Sequence, residues 1–116
     1  GMGEQSEERR YPRADTHFAI EYSILGQSTS EFGRAKDLSG TGVSFSTSEL
    51  IHPGELLSVQ FALPRLDHSI KASAEVVRQW CEKNEYFVAV EFTDIDYDDF
   101  LWLIDYSLAN LDAGQF

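Results

Sequence analysis

The sequence predicts an all-β fold with one C-terminal helix: an antiparallel β-barrel or sandwich of six strands, with the helix over one opening. Three observations carry this expectation. Apolar and polar residues alternate in six short runs, turn-forming residues separate the runs, and beyond Asp94 the apolar spacing changes from two to three and four.

Thr16 to Leu25 is the first run, with Phe18, Ile20, Tyr22 and Ile24 on one face of a strand, and a turn follows around Gly26. Glu31 to Leu38 is the second strand. Gly42 to Thr47 is the third, with Val43 and Phe45 facing alike. Pro53-Gly54 marks a turn before the fourth strand, Leu56 to Leu63, which Pro64 ends. Ile70 to Trp80 is a longer fifth strand whose adjacent Val76 and Val77 break the alternation, the mark of a β-bulge. Glu82-Lys83-Asn84-Glu85 forms a hairpin turn into the sixth strand, Tyr86 to Phe92. A cap at Asp94 or Asp96 then starts a helix on which Phe100, Leu101, Leu103, Ile104, Leu108 and Leu111 make an apolar stripe. Asp98 and Asp99 in its first turn suit the positive end of the helix dipole.

A chain of 116 residues, 42% hydrophobic, has room for one domain. Residues 1–8 are polar and lack periodicity, so they read as a flexible lead-in to a domain over residues 9–112. Phe18, Phe45, Phe61, Trp80, Phe87, Phe92 and Trp102 are spread along the chain, which implies a single core. Cys81 has no partner for an intramolecular disulfide, and no run approaches the apolar length of a membrane helix, so a soluble cytoplasmic protein without membrane insertion is expected.

The net charge of −11 speaks against a general DNA, RNA or anionic-membrane surface. Its distribution is uneven, however. Five of the nine cations (Arg9, Arg10, Arg13, Arg34 and Lys36) fall within residues 9–36, while residues 94–112 hold six aspartates and no cation. A local anion site is therefore compatible with an acidic protein.

Three arginines occur in Arg9-Arg10-Tyr11-Pro12-Arg13, and Pro12 steers Tyr11 away from helical geometry, so the segment is extended or turning. Guanidinium is planar and permanently charged. It pairs bidentately with phosphate or with the O6/N7 edge of guanine, and it stacks on purines. A second element, Asp37-Leu38-Ser39-Gly40-Thr41-Gly42, lies between two expected strands. There a carboxylate beside a hydroxyl can accept the N1–H and N2–H hydrogens of guanine, and glycines allow backbone to approach a ligand closely.

These residues resemble the PilZ domain family, whose signature is Arg-x-x-x-Arg followed at a distance by Asp/Asn-x-Ser-x-x-Gly. Arg9 and Arg13 match the first part, and Asp37, Ser39 and Gly42 the second. Val76-Val77-Arg78 and Tyr86 to Phe92 resemble the last two strands of such domains, and residues 96–111 the helix after them, so the resemblance covers residues 8–111. One departure is Ala89, where many relatives have glycine. The resemblance implies a six-stranded antiparallel PilZ-type β-barrel and a non-enzymatic receptor for cyclic di-GMP in bacterial signalling. It puts Arg9 and Arg13 on phosphate and the guanine O6/N7 edge, and Asp37 and Ser39 on the opposite guanine edge. Gly42 supplies a turn without a side-chain clash, and Arg10, at a variable position, is a further candidate.

Other chemistry has little support. Ser39 lacks a nucleophile context, and His17, His52 and His68 show no metal-ligand spacing with one another or with Cys81. The aspartates from Asp94 to Asp99 lack a calcium-loop pattern, and Gly40-Thr41-Gly42 lacks the third glycine of a dinucleotide loop. Neither a metal nor a cofactor other than the ligand is expected. Two alternatives stay open: a PilZ-like module that works through protein contacts and ignores nucleotide, and a small barrel for single-stranded nucleic acid, which the acidic balance disfavours. The downstream protein partner is not specified, and the apolar stripe of the helix admits a homodimer.

Overall fold

The computed structural model of the chain describes residues 13–63 and 68–115, with side chains described from 17 to 63 and from 68 to 109. The expected lead-in, residues 1–8, and both Arg9 and Arg10 fall outside that range. Six strands are present: β1 (Arg13–Ile24), β2 (Glu31–Ser39), β3 (Gly42–Thr47), β4 (Leu56–Ala62), β5 (Ser69–Glu82) and β6 (Glu85–Ile95). One helix, α1 (Tyr97–Gln115), follows them.

The strands close into a barrel in the order β1-β2-β3-β6-β5-β4, and β4 pairs back onto β1. Every pairing is antiparallel. The expected fold class is the one observed, and closure leaves no sheet edge open. Inward-facing Ile20, Phe45, Leu57, Val59, Val76 and Val88 are fully buried in the barrel.

Lys83 and Asn84 form the β5–β6 hairpin with φ of 53° and 65°, the left-handed pair that matches strand twist in a two-residue turn. On β5 the pairing with β6 shifts between Val76 and Arg78, so the bulge expected at Val77 is present. Its consequence is large: Val76 is buried while Val77 and Arg78 are both exposed, and Trp80 comes to lie outside the barrel. Of the aromatics spread along the chain, Trp80, Phe87 and Trp102 therefore lie outside the single core. Trp80 and Phe87 stack on the outer surface with centroids 5.6 Å apart, and Trp102 is exposed, stacked on His68 at 4.6 Å.

The β3–β4 connection crosses one end of the barrel and buries Ile51. The Tyr22 hydroxyl steadies it by accepting a hydrogen bond from Ser48 N at 3.1 Å. Tyr22→Phe leaves that N–H without its acceptor and is expected to destabilise the fold by about 1 kcal/mol, measurable by denaturant titration.

Helix α1 sits at the opposite end, where β1 begins and β2 finishes. The amide of Phe100 donates to Asp96 O at 2.9 Å, which makes Asp96, one of the two expected candidates, the N-cap residue. Leu103, Tyr106 and Ser107 are buried beneath the helix, which packs against β1 and β2. His68 Nε2 donates to Asp99 Oδ1 at 2.8 Å and ties its first turn to the approach of β5.

Candidate ligand-binding site

The β2–β3 turn carries the Asp-x-Ser-x-x-Gly residues. Leu38 is buried, so its neighbours Asp37 and Ser39 stand on the outer face of the barrel. Asp37 accepts a hydrogen bond from Ser44 Oγ at 3.3 Å across the β2–β3 pairing. Ser39 Oγ accepts one from the Thr41 amide at 3.2 Å and lies 3.2 Å from Thr41 Oγ1, so the serine shapes its own turn as well as facing outward.

Arg13 opens β1, and the register sets it directly across from Ser39, with Asp15 across from Asp37. The two halves of the motif, 24 residues apart in sequence between Arg13 and Asp37, thus meet on neighbouring strands. Continuing across the barrel, Asp37 pairs with Ser44, Ser44 with Ala89, and Ala89 with Arg78. At about 4.8 Å per strand this row spans roughly 14 Å. An open groove of about 380 Å³ lies over it, with Asp37, Ser39 and Ser44 on one side and Arg78, Trp80 and Glu91 on the other.

The far wall of the groove is a stacked column. Arg78 lies over the Trp80 ring with its guanidinium carbon 4.4 Å from the centroid, Trp80 stacks on Phe87, and Lys36 Nζ is 5.1 Å from the Phe87 centroid. Lys36 also pairs with Glu82 at 3.1 Å. That hydrogen bond, with a second from the Trp80 indole at 3.3 Å, holds the Glu82 carboxyl below its ordinary value. Its contribution is present at neutral pH and fades as acid protonates Glu82, and solvent screening at this exposed pair keeps it small.

Sequence reasoning missed Arg78, Trp80 and Lys36 as groove residues. The signal was available in the broken alternation at Val76-Val77. A bulge there turns Arg78 and Trp80 out of the inward phase set by Ala72, Ala74 and Val76.

The two glycines of the turn have structural reasons for being glycine. Neither has a positive φ. A Cβ on Gly42 would collide with the carbonyl oxygen of Val90 on β6, and one on Gly40 with the side chain of Ile104 on α1. Gly42 is thus required by strand packing beneath the groove, a role separate from the ligand approach expected of it.

Three comparisons bear on this arrangement. The family model described as PilZ domain matches residues 7–109. No curated protein sequence matches the chain. Among solved structures, the chain is similar to the Bacillus subtilis inhibitor of motility MotI/DgrA at a TM-score of 0.83 and 18% identity, over 94% of this chain and 54% of that one. It is similar to the PilZ domain of YcgR from Escherichia coli, solved with c-di-GMP, at a TM-score of 0.66 and 14% identity, covering 94% and 99% of the two chains. It is also similar to PlzA from Borreliella burgdorferi, solved in complex with c-di-GMP, at 0.64 and 13%, covering 91% and 43%. The chain therefore spans about half the length of the B. subtilis structure. At these identities the likeness is one of fold. No helix among the described residues is long and apolar enough to cross a membrane.

Proposed function

This chain belongs to the PilZ domain family, and from that premise we propose that it is a non-enzymatic receptor for cyclic di-GMP that passes the signal to a protein partner in the bacterial cytoplasm. The carrying observation is the strand register, which sets Arg13 opposite Ser39 and Asp37 beside Ser44 at the edge of one groove. Arg9 and Arg13 pair with phosphate oxygens and the O6/N7 edge of guanine. Asp37 and Ser39 accept hydrogens from the opposite guanine edge, and Arg10 adds positive charge to the same segment. Gly42 keeps β3 close against β6 beneath them. Arg78, held over the groove by the Trp80 indole, offers its guanidinium to the second base or phosphate, and Lys36 adds a cation at the same end.

In this mechanism the two negative charges of the ligand draw the arginines of the N-terminal segment onto the barrel, which changes the surface a partner meets. An exposed Cys81 thiol fits a reducing compartment.

Calorimetric titration with cyclic di-GMP, with GTP and cyclic di-AMP as controls, tests the assignment. Saturable binding of cyclic di-GMP alone is expected. Trp80→Leu is expected to weaken it about tenfold, because the indole that holds Arg78 over the groove is lost, and Ser39→Ala only about threefold, since it removes one neutral hydrogen bond. Absence of heat at high micromolar ligand would overturn the receptor assignment and leave a module that acts through protein contacts alone.

A further inference from the structure

Helix α1 carries one apolar face that the barrel buries and a second apolar stripe that meets the barrel at Ile104, beside Gly40. Leu103, Tyr106 and Ser107 are buried against the strands. Tyr97, Leu101, Ile104 and Leu108 follow one another at spacings of four, three and four, the repeat of a coiled-coil seam. Tyr97, Leu101 and Leu108 are 70%, 42% and 43% exposed, and Ile104 is half-buried beside Gly40. In sequence Leu111 extends the repeat, and the helix continues to Gln115. A stripe needed only for packing on the barrel would coincide with the buried set, and this one is rotated away from it.

One edge of the seam is acidic. Asp98 and Asp105, with Asp112 continuing in sequence, recur every seven residues at the position following Tyr97, Ile104 and Leu111. Asp98 and Asp105 are exposed, and residues 84–116 contain no lysine, arginine or histidine. In coiled coils, charges flanking the seam select the partner.

We infer that the outer face of α1 docks an amphipathic helix of another protein, one with leucine-like residues at alternating spacings of three and four and with lysine or arginine beside them. A second copy of this chain is a poor occupant. It brings the same aspartates and a further charge of −11, and an antiparallel pair would set Asp98 and Asp105 against their own kind. Residues 1–12 are a poor occupant too, since Met2 and Tyr11 are their only large apolar side chains against a four-residue seam. The docked area is that of a few helical turns, which suits a transient signalling contact.

The test uses the whole chain and a synthetic amphipathic helix of about three heptads, with leucine at the seam positions and lysine beside them. A matched peptide carries glutamate in place of each lysine. Fluorescence anisotropy is expected to give micromolar affinity for the lysine peptide and at least about tenfold weaker binding of the glutamate peptide. Leu101→Lys is expected to abolish binding, and the double variant Asp98→Lys/Asp105→Lys to prefer the glutamate peptide. Both changes are on the exposed face, and circular dichroism of each variant verifies that it folds. Equal binding of the two peptides, binding of neither, or full binding to the Leu101→Lys variant would overturn the inference. So would sedimentation of the unaltered chain as a dimer that Leu101→Lys dissociates, which would give this face to a second copy. None of these readouts involves cyclic di-GMP, so the docking face and the receptor assignment stand or fall separately.

Discussion

Arg13→Ala is expected to weaken cyclic di-GMP binding by tenfold to a hundredfold with the barrel intact. A hydrogen bond in which a partner is charged is worth about 1.5–3 kcal/mol, and each 1.4 kcal/mol is a factor of ten in affinity. Arg13 is the arginine of the motif that the strand register fixes, opposite Ser39 at the first position of β1. On the proposed reading its removal takes away a bidentate contact that lysine would restore only as charge, so Arg13→Lys is expected to recover a small part of the loss. Calorimetry gives the affinity, and thermal unfolding without ligand controls for folding, with a change under about 2 °C expected for a substitution at a strand terminus. A variant that keeps full affinity would remove Arg13 from the site and shift the ligand away from the β1–β2 edge.

Gly42→Val is expected to have the largest effect on stability. The new side chain would run into the backbone oxygen of Val90, and backbone on a central strand has nowhere to retreat. Gly42 pairs with Glu91, and the next pair in the ladder, Val43 with Val90, is buried on its inner side. Parting β3 from β6 there exposes that pair and strains Phe45 against Val88. A cost of about 3 kcal/mol is expected, a drop of about 15 °C in Tm for a domain of this size. Thr41→Val is the comparison, because Thr41 is exposed in the same turn and its substitution should leave Tm within about 3 °C. Should Gly42→Val lose ligand binding with Tm unchanged, the glycine would be serving ligand approach, as the motif alone suggests, and strand packing would be the lesser constraint.

Much of the fold was legible because its signals are local. Alternation in Phe18-Ala19-Ile20-Glu21-Tyr22 places side chains on two faces whatever lies beyond, and Ile20 and Tyr22 are indeed buried. Lys83-Asn84 can turn a hairpin without knowledge of the rest, and a change from period two to three and four separates strand from helix. The motif halves at Arg13 and Asp37 were legible as chemistry, since guanidinium, carboxylate and hydroxyl are what a guanine dinucleotide calls for. Their adjacency was not, because pairing between β1 and β2 depends on how both strands sit over a shared core.

What the sequence determined by itself was the number, kind and order of the elements and the residue types able to hold an anionic purine ligand, because backbone periodicity and side-chain chemistry belong to each segment alone. Tertiary structure decided the rest. The bulge at Val77 turned Arg78 and Trp80 outward to face Asp37, a relation that exists only once β5, β6, β3 and β2 lie side by side. The collision that makes Gly42 obligatory is with Val90, far along the chain, and the apolar residues of α1 divided into a buried set and an exposed seam only when the helix met the barrel. Steric exclusion and burial are properties of neighbours, and the neighbours are chosen by the closed sheet.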